Sequence, residues 1–322
     1  MLKKLALYCT LLLVSATVSA AAPESFIPAN SPHVLRLNIN RIVQLPWVRN
    51  MLGSADEKCR EFFLLVDELK KFNIQPEQFF AGEVWATQIG NNEKNFVILI
   101  KTALPEAKFA EFFNSQKNQN KNLELAVSKL EGRTIYTAKY ASTYKAAGQT
   151  PVLATYMAGD VIALLPFNGE SAAHINMLKA DNNNELVKAV DRKKLCAMLS
   201  QAAKPKAKIR SINATAELAG AEMRDITLHA AISYKNAKTA MRKAMEMQFI
   251  LPSFAGLLFG NDPKLMEEII RDLQIVPDKE KIMLSFTLTK SVQDKISSYL
   301  SNPANVPSLN INPEDLSNFG QP

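Results

Sequence analysis

Residues 209–234 read IRSINATAELAGAEMRDITLHAAISY. Two runs alternate in polarity around a Gly220-Ala221-Glu222 turn. Side chains alternate across a strand, so each run predicts a strand and the pair predicts a hairpin. One face takes Ile212, Ala214, Ala216 and Leu218, then Ile226, Leu228, Ala230, Ile232 and Tyr234. The other takes Asn213, Thr215 and Glu217, then Thr227, His229, Ala231 and Ser233. Pairing Leu218 with Ile226 sets Thr215 opposite His229, with Glu217 on the diagonal. His229 therefore reads as part of a wet sheet face and not as an active-site base.

The same arrangement occurs upstream. Glu83 to Lys101 reads EVWATQIGNNEKNFVILIK, two runs about Gly90-Asn91-Asn92-Glu93. Its second run is apolar at consecutive positions, as expected of a strand covered on both faces. Correspondences recur at nearly constant offset: Val34 with Val161, Gly90 with Ala221, Ala107-Lys108 with Ala237-Lys238. Agreement in element order predicts two tandem related units, 24–158 and 159–301. The expected class is α+β, with antiparallel-rich sheets and helices packed on one face.

Other elements follow local signals. His33 to Ile39 alternates as a strand. A short helix is expected near Arg41 to Leu52, carrying Trp47. Ser54-Ala55-Asp56-Glu57 is a capping box opening a helix to about Phe72. Pro105 starts another, in the position where a missing amide costs nothing. Strands are expected near 123–129, 133–140, 152–158, 161–165 and 282–289. Helical segments are expected across 185–201, after Asn168, from Asn236, after Asp262-Pro263, and up to Leu300. Residues 302–322, rich in Asn and Pro, read as a mobile tail.

The N-terminus has the features of an export signal. Lys3 and Lys4 precede the apolar run Leu5 to Val18, and Val18-Ser19-Ala20 supplies small residues for cleavage, which sets 1–20 apart as a signal peptide. Tyr8 before Cys9, with apolar residues continuing beyond, argues against lipidation. The expected location is periplasmic or extracellular. Without Lys3 and Lys4 the formal charge of +7 becomes +5, a mild excess. No later run reaches about 18 unbroken apolar residues, so no further transmembrane segment is expected. Cys59 shares a helical apolar stripe with Phe62, Phe63, Val66 and Leu69, which favours a buried thiol over pairing with Cys196, although export permits a disulfide.

The phrases EGRTIYTAKY (131–140) and YMAGDVIALLP (156–166), behind a signal peptide and an early strand, resemble a group of uncharacterised exported bacterial proteins. The resemblance spans most of 28–300. It implies a duplicated α+β fold and nothing about activity.

Chemistry-bearing patterns are sparse. The three histidines, His33, His174 and His229, have no metal-pair spacing. H-E-x-x-H, G-x-S-x-G and a phosphate-cradling Gly-Lys loop do not occur. No cofactor or metal is expected. Asp181 to Glu185 resembles a calcium loop only in its oxygen ligands. It lacks the glycine and final glutamate, and reads as a helix-capping surface loop.

Two stretches are candidate contact surfaces. Lys188, Arg192, Lys193, Lys194, Lys204, Lys206, Lys208 and Arg210 form a basic run, suited to an anionic lipid or glycan if not merely solvated. It holds no aromatic residue for base stacking, and nucleic acid is not an expected partner. The second is Phe249 to Phe259 (FILPSFAGLLF), broken by Pro252 and Gly256, after Met241, Met245 and Met247. It belongs to a segment, 249–276, that is an insert relative to the first half. Either it fills the core, the first expectation, or Met241, Met245, Phe249, Leu251, Phe254 and Leu258 meet a partner or apolar ligand.

The expectation is a non-catalytic exported protein, a binding or assembly module of the cell envelope. A carrier of a lipid or other apolar ligand is the alternative, and a hydrolase with a dispersed site a weaker one.

Overall fold

The computed structural model describes residues 22–42, 44–45, 73–74, 76–79, 81–89, 95–116, 123–140, 152–179, 183–202, 208–220, 224–259 and 262–300. The signal-peptide region, Trp47, Cys59, the capping box at 54–57, Lys204, Lys206 and the tail lie outside them, as do the side chains of 252–259. The described elements mix helices with twelve strands, all antiparallel where paired, which is an α+β fold.

The described residues divide into two compact units, one within 1–43 and 64–216, the other within 44–63 and 217–322. The boundary differs from the expected 158/159, because the strands on either side of that point pair with each other. In the first unit the strands are β1 (His33–Asn38), β2 (Glu83–Gln88), β3 (Phe96–Lys101), β4 (Leu123–Leu130), β5 (Arg133–Tyr140), β6 (Val152–Tyr156), β7 (Val161–Pro166), β8 (Cys196–Gln201) and most of β9 (Ile209–Ala219). Their hydrogen-bonded order is β9-β8-β1-β2-β3-β7-β6-β5-β4. The second unit has β10 (Asp225–Tyr234), β11 (Gln274–Asp278) and β12 (Lys281–Leu288), ordered β11-β12-β10.

β8 corrects the helical expectation for 185–201. Only Glu185–Ala189 is helical, and Cys196–Gln201 pairs with both β1 and β9. A short apolar run fits either structure, and here two flanking strands take its backbone groups. β11 was likewise hidden in the expected insert. Its Pro277 is tolerated because β11 is at the end of the strand order, where a missing amide breaks no ladder.

The helices are α1 (Ile39–Ile42), α2 (Pro76–Phe79), α3 (Glu106–Gln116), α4 (Ser171–Met177) and α5 (Glu185–Ala189), then α6 (Ala237–Phe259), α7 (Pro263–Arg271) and α8 (Lys290–Leu300). In the first unit they occupy both sheet faces, not one. One face packs Val34, Trp85, Leu99 and Ile135 against Phe26, Ile175 of α4 and Leu186 of α5. The opposite face packs Ile100, Ile162, Tyr136 and Tyr156 against Phe79 of α2 and Phe109 and Phe112 of α3. Phe109 and Tyr136 meet edge-on with centroids 4.9 Å apart. The second cover is short: Phe96 and Ile98 remain 45% and 38% exposed, so β3 is not covered on both faces throughout.

Asn184 shows how a local signal becomes tertiary. Its side-chain oxygen accepts from the amides of Leu186 and Val187, capping α5, while its amide donates to the carbonyls of Pro28, Ala29 and Ser31. The expected cap is present, but Asn184 is buried, not on a surface loop.

Candidate functional site

α6 begins where Asn236 accepts a hydrogen bond from the Thr239 amide, a side-chain cap. It runs unbroken through Pro252 and Gly256 to Phe259. Proline there removes only the hydrogen bond to the Gln248 carbonyl, and the rest of the ladder carries the turn. Its inward side is small: Ala240 and Ala244 are buried, and the Gln248 amide donates to the Ile275 carbonyl of β11. Leu251 is half-buried at the same helical phase as Ala240 and Ala244.

The outward side is unusual. Met241, Met245 and Phe249 are 58%, 55% and 76% exposed. They recur at i, i+4 and i+8, so they form one stripe. Lys238 and Arg242 lie on the same face and are exposed. The first expectation, that the stretch 249–259 fills a core, is therefore overturned at Phe249. The six candidates do not converge: three are outward, Leu251 is half-buried, and the side chains of Phe254 and Leu258 lie outside the described residues. Sequence reading also passed over Lys238 and Arg242, although the spacing i, i+3, i+4, i+7, i+11 from Lys238 to Phe249 would have found them.

The basic run behaves differently from a free patch. Arg192 forms an ion pair with Glu24 and stands 5.9 Å above the Trp85 ring. Lys194 and Lys193 present their carbonyls to the guanidiniums of Arg36 and Arg41, at 3.0 and 2.7 Å. Lys188 pairs with Glu185 at 2.7 Å. Lys193 and Lys208 are exposed. Arg192 is thus tied into the first unit by its side chain, and Lys193 and Lys194 by their backbone carbonyls.

At its centre lies a buried ion pair that sequence reading missed. Arg36 is 1% exposed and pairs with Glu83, whose second carboxylate oxygen accepts from Trp85 Nε1 at 3.0 Å. Burial works to raise the Glu83 pKa, but the hydrogen bond and charge of Arg36, the Trp85 hydrogen bond and the charge of Arg192 together hold it below its ordinary 4.5. The available signal was a lone arginine two residues from Val34 on an apolar strand, facing a strand with Glu83 two residues from Trp85. Cys196 nearby is a free thiol whose pKa is raised by burial, with Arg36 opposing.

The histidines are dispersed. His33 Nδ1 lies 2.6 Å from Ser200 Oγ, its direct partner in the β1–β8 ladder. His174 is buried against Asn95 and Glu170, both at 3.4 Å. His229 is half-exposed, 3.6 Å from Glu217. Among the described residues, no group of three or more His, Cys, Asp and Glu is placed to hold a metal ion. No helix among them is long and apolar enough to cross a membrane.

The first unit also has a cavity of about 400 Å³, lined by apolar Phe26, Met157, Ile175 and Leu178 and by the charged groups Arg133, Lys179 and Glu131. Arg133 is held in place by donating to the carbonyls of Tyr156 and Met157.

No family model, curated protein or solved structure matches the chain.

Proposed function

We propose that this chain is a non-catalytic, exported binding module of the cell envelope, and that its contact surface is the outward face of α6. One observation carries the reading: Met241, Met245 and Phe249 stand exposed in a single stripe on a helix that buries Ala240 and Ala244. Three large apolar side chains in one row lose free energy in water, on the order of 1.5–3 kcal/mol for each that is not covered. A protein that keeps such a row exposed has a use for it. The export signal expected at 1–20 supports an envelope location for this module.

The same reading includes a tandem duplication. Each half has the order strand, hairpin, long helix, hairpin, helix. The first copy is β1, β2-β3, α3, β6-β7, α4, and the second is β8, β9-β10, α6, β11-β12, α8. α1, α2 and the β4-β5 hairpin are extra in the first copy and α7 in the second, and α5 lies between the copies. In this alignment β1 corresponds to β8 rather than to β7.

Envelope fractionation tests the function. The double substitution Met245→Glu/Phe249→Glu is expected to move the protein from envelope-associated to freely released material, with melting unchanged. An unaltered distribution would remove α6 as the contact surface.

The cavity beside Arg133 supports a second reading, carriage of an apolar ligand with an anionic head group, held in the first unit and not by residues 241–258. Filling it with Ala158→Trp should abolish displacement of a fluorescent fatty acid. If the unsubstituted protein binds no such probe, that reading fails.

A further inference from the structure

We infer that the outward face of α6 docks onto an anionic lipid bilayer surface. The inference rests on the contact-surface reading above and assigns its partner. Lys238, Met241, Arg242, Met245 and Phe249 share an arc of about 100° at the helical period. All five are exposed. A core stripe would exclude the lysine and arginine, and an ordinary wet face would not gather three large apolar groups. Protein–protein interface cores are also depleted in lysine. A helix lying in a bilayer interface uses both kinds of residue on one arc. Met and Phe enter the acyl boundary, while the long cationic stems lie along the apolar surface and carry their charges to phosphate.

The charge balance of the helix favours an anionic surface. From Ala237 to Phe259 there are three cations, Lys238, Arg242 and Lys243, and one acid, Glu246. Glu246 is engaged by Lys243 at 2.6 Å and by Arg242 at 3.7 Å. Exposed Lys235 precedes the helix and adds a further positive charge at that end. The stripe from Lys238 to Phe249 is about 17 Å long, enough to lie along a membrane surface and too short to span it.

Co-sedimentation with vesicles decides the matter. The protein is taken as recovered from exported expression, and every variant carries the same N-terminus, so differences report α6 alone. The unsubstituted chain should bind phosphatidylglycerol–phosphatidylcholine vesicles more tightly than pure phosphatidylcholine, and added salt should weaken it. Met245→Glu/Phe249→Glu should lower binding at least about tenfold. Lys238→Glu/Arg242→Glu should lower it about tenfold or more on anionic vesicles, with little change on neutral ones. Lys264→Glu, an exposed charge reversal on α7, should leave it nearly unchanged, and thermal melts confirm that all variants fold.

Failure of the unsubstituted chain to bind anionic vesicles overturns the lipid assignment. If the Met245→Glu/Phe249→Glu pair nevertheless releases the protein from the envelope fraction, the contact surface stands and its partner is a protein. If that pair alters neither readout, both readings fall. Vesicle binding that survives the pair places docking elsewhere. A doubled mass in light scattering that Phe249→Glu halves assigns the face to a second copy of the chain instead, and also overturns the inference.

Discussion

The Arg36–Glu83 cluster of the first unit and the Met241–Phe249 stripe of the second invert the usual arrangement in opposite directions. In the first, charge is inside: Arg36 is buried beside fully buried Trp85. In the second, apolar mass is outside, on a helix with alanines turned inward. The buried charges have partners. Glu83 answers Arg36, the Trp85 indole answers Glu83, and the Lys194 carbonyl takes a second guanidinium hydrogen. Those contacts make the cluster an element of the fold, with the buried Arg36 Nε left without a hydrogen-bond partner among the described residues. The outward apolar row is different in that its side chains stand exposed, 55–76% for Met241, Met245 and Phe249. That exposure is what the proposed contact surface rests on.

Breaking the buried pair should have the largest effect. Glu83→Ala leaves the Arg36 charge inside without its carboxylate, and should cost about 3–5 kcal/mol in denaturant unfolding. Replacing both partners with apolar residues of similar volume should recover most of that loss. A double variant as unstable as the single one would mean that the pair itself, and not the orphaned charge, holds the unit together.

On α6, the buried side should be sensitive where the exposed side is not. Ala244→Leu forces volume into a filled contact and should cost about 1–3 kcal/mol. If it is tolerated without loss, the packing under α6 is looser than its buried alanines indicate.

Acid titration separates the regions further. The folded pKa of Glu83 is depressed below 4.5. Its contribution is therefore complete above the unfolded value and lost as pH falls through the folded one. Glu83→Gln should flatten the acid limb of the stability profile below about pH 4.5, whereas Phe249→Ser should leave that limb parallel to the original. Coincident acid limbs for Glu83→Gln and the unsubstituted chain would contradict the electrostatic account.

The smallest effect belongs to the stripe. Met241→Ser, Met245→Ser or Phe249→Ser should each change stability by no more than about 0.5 kcal/mol, the usual range for exposed positions. A drop of several kcal/mol at any of them would make the row structural and remove the basis for reading it as a contact surface.

The hairpins were legible because their information is local. Alternation on each side of a short turn marked β2-β3 and β9-β10, and His229 is half-exposed beside Glu217 as its side of β10 implies, although Leu228 on the opposite side is 38% exposed. The Asn184 cap was equally local. β8 was not legible, because CAMLSQ has no decisive period and becomes a strand only between β1 and β9. Pro252 and Gly256 interrupt the apolar run of the sequence, yet α6 continues through both because the remaining backbone bonds of the helix persist. Of the candidate contact residues, the sequence singled out Met241, Met245 and Phe249 but not the side on which they lie.

The chain alone thus settled the elements whose period and turns are written in adjacent residues. Only tertiary structure decided what those elements cover. Arg36 shares a strand face with Val34, and that face is inside because Phe26, α4 and α5 cover its sheet. Met245 shares a helix with Ala244, yet one is outside and the other buried. Side-chain direction follows from local geometry, but burial depends on which distant segment packs against that side.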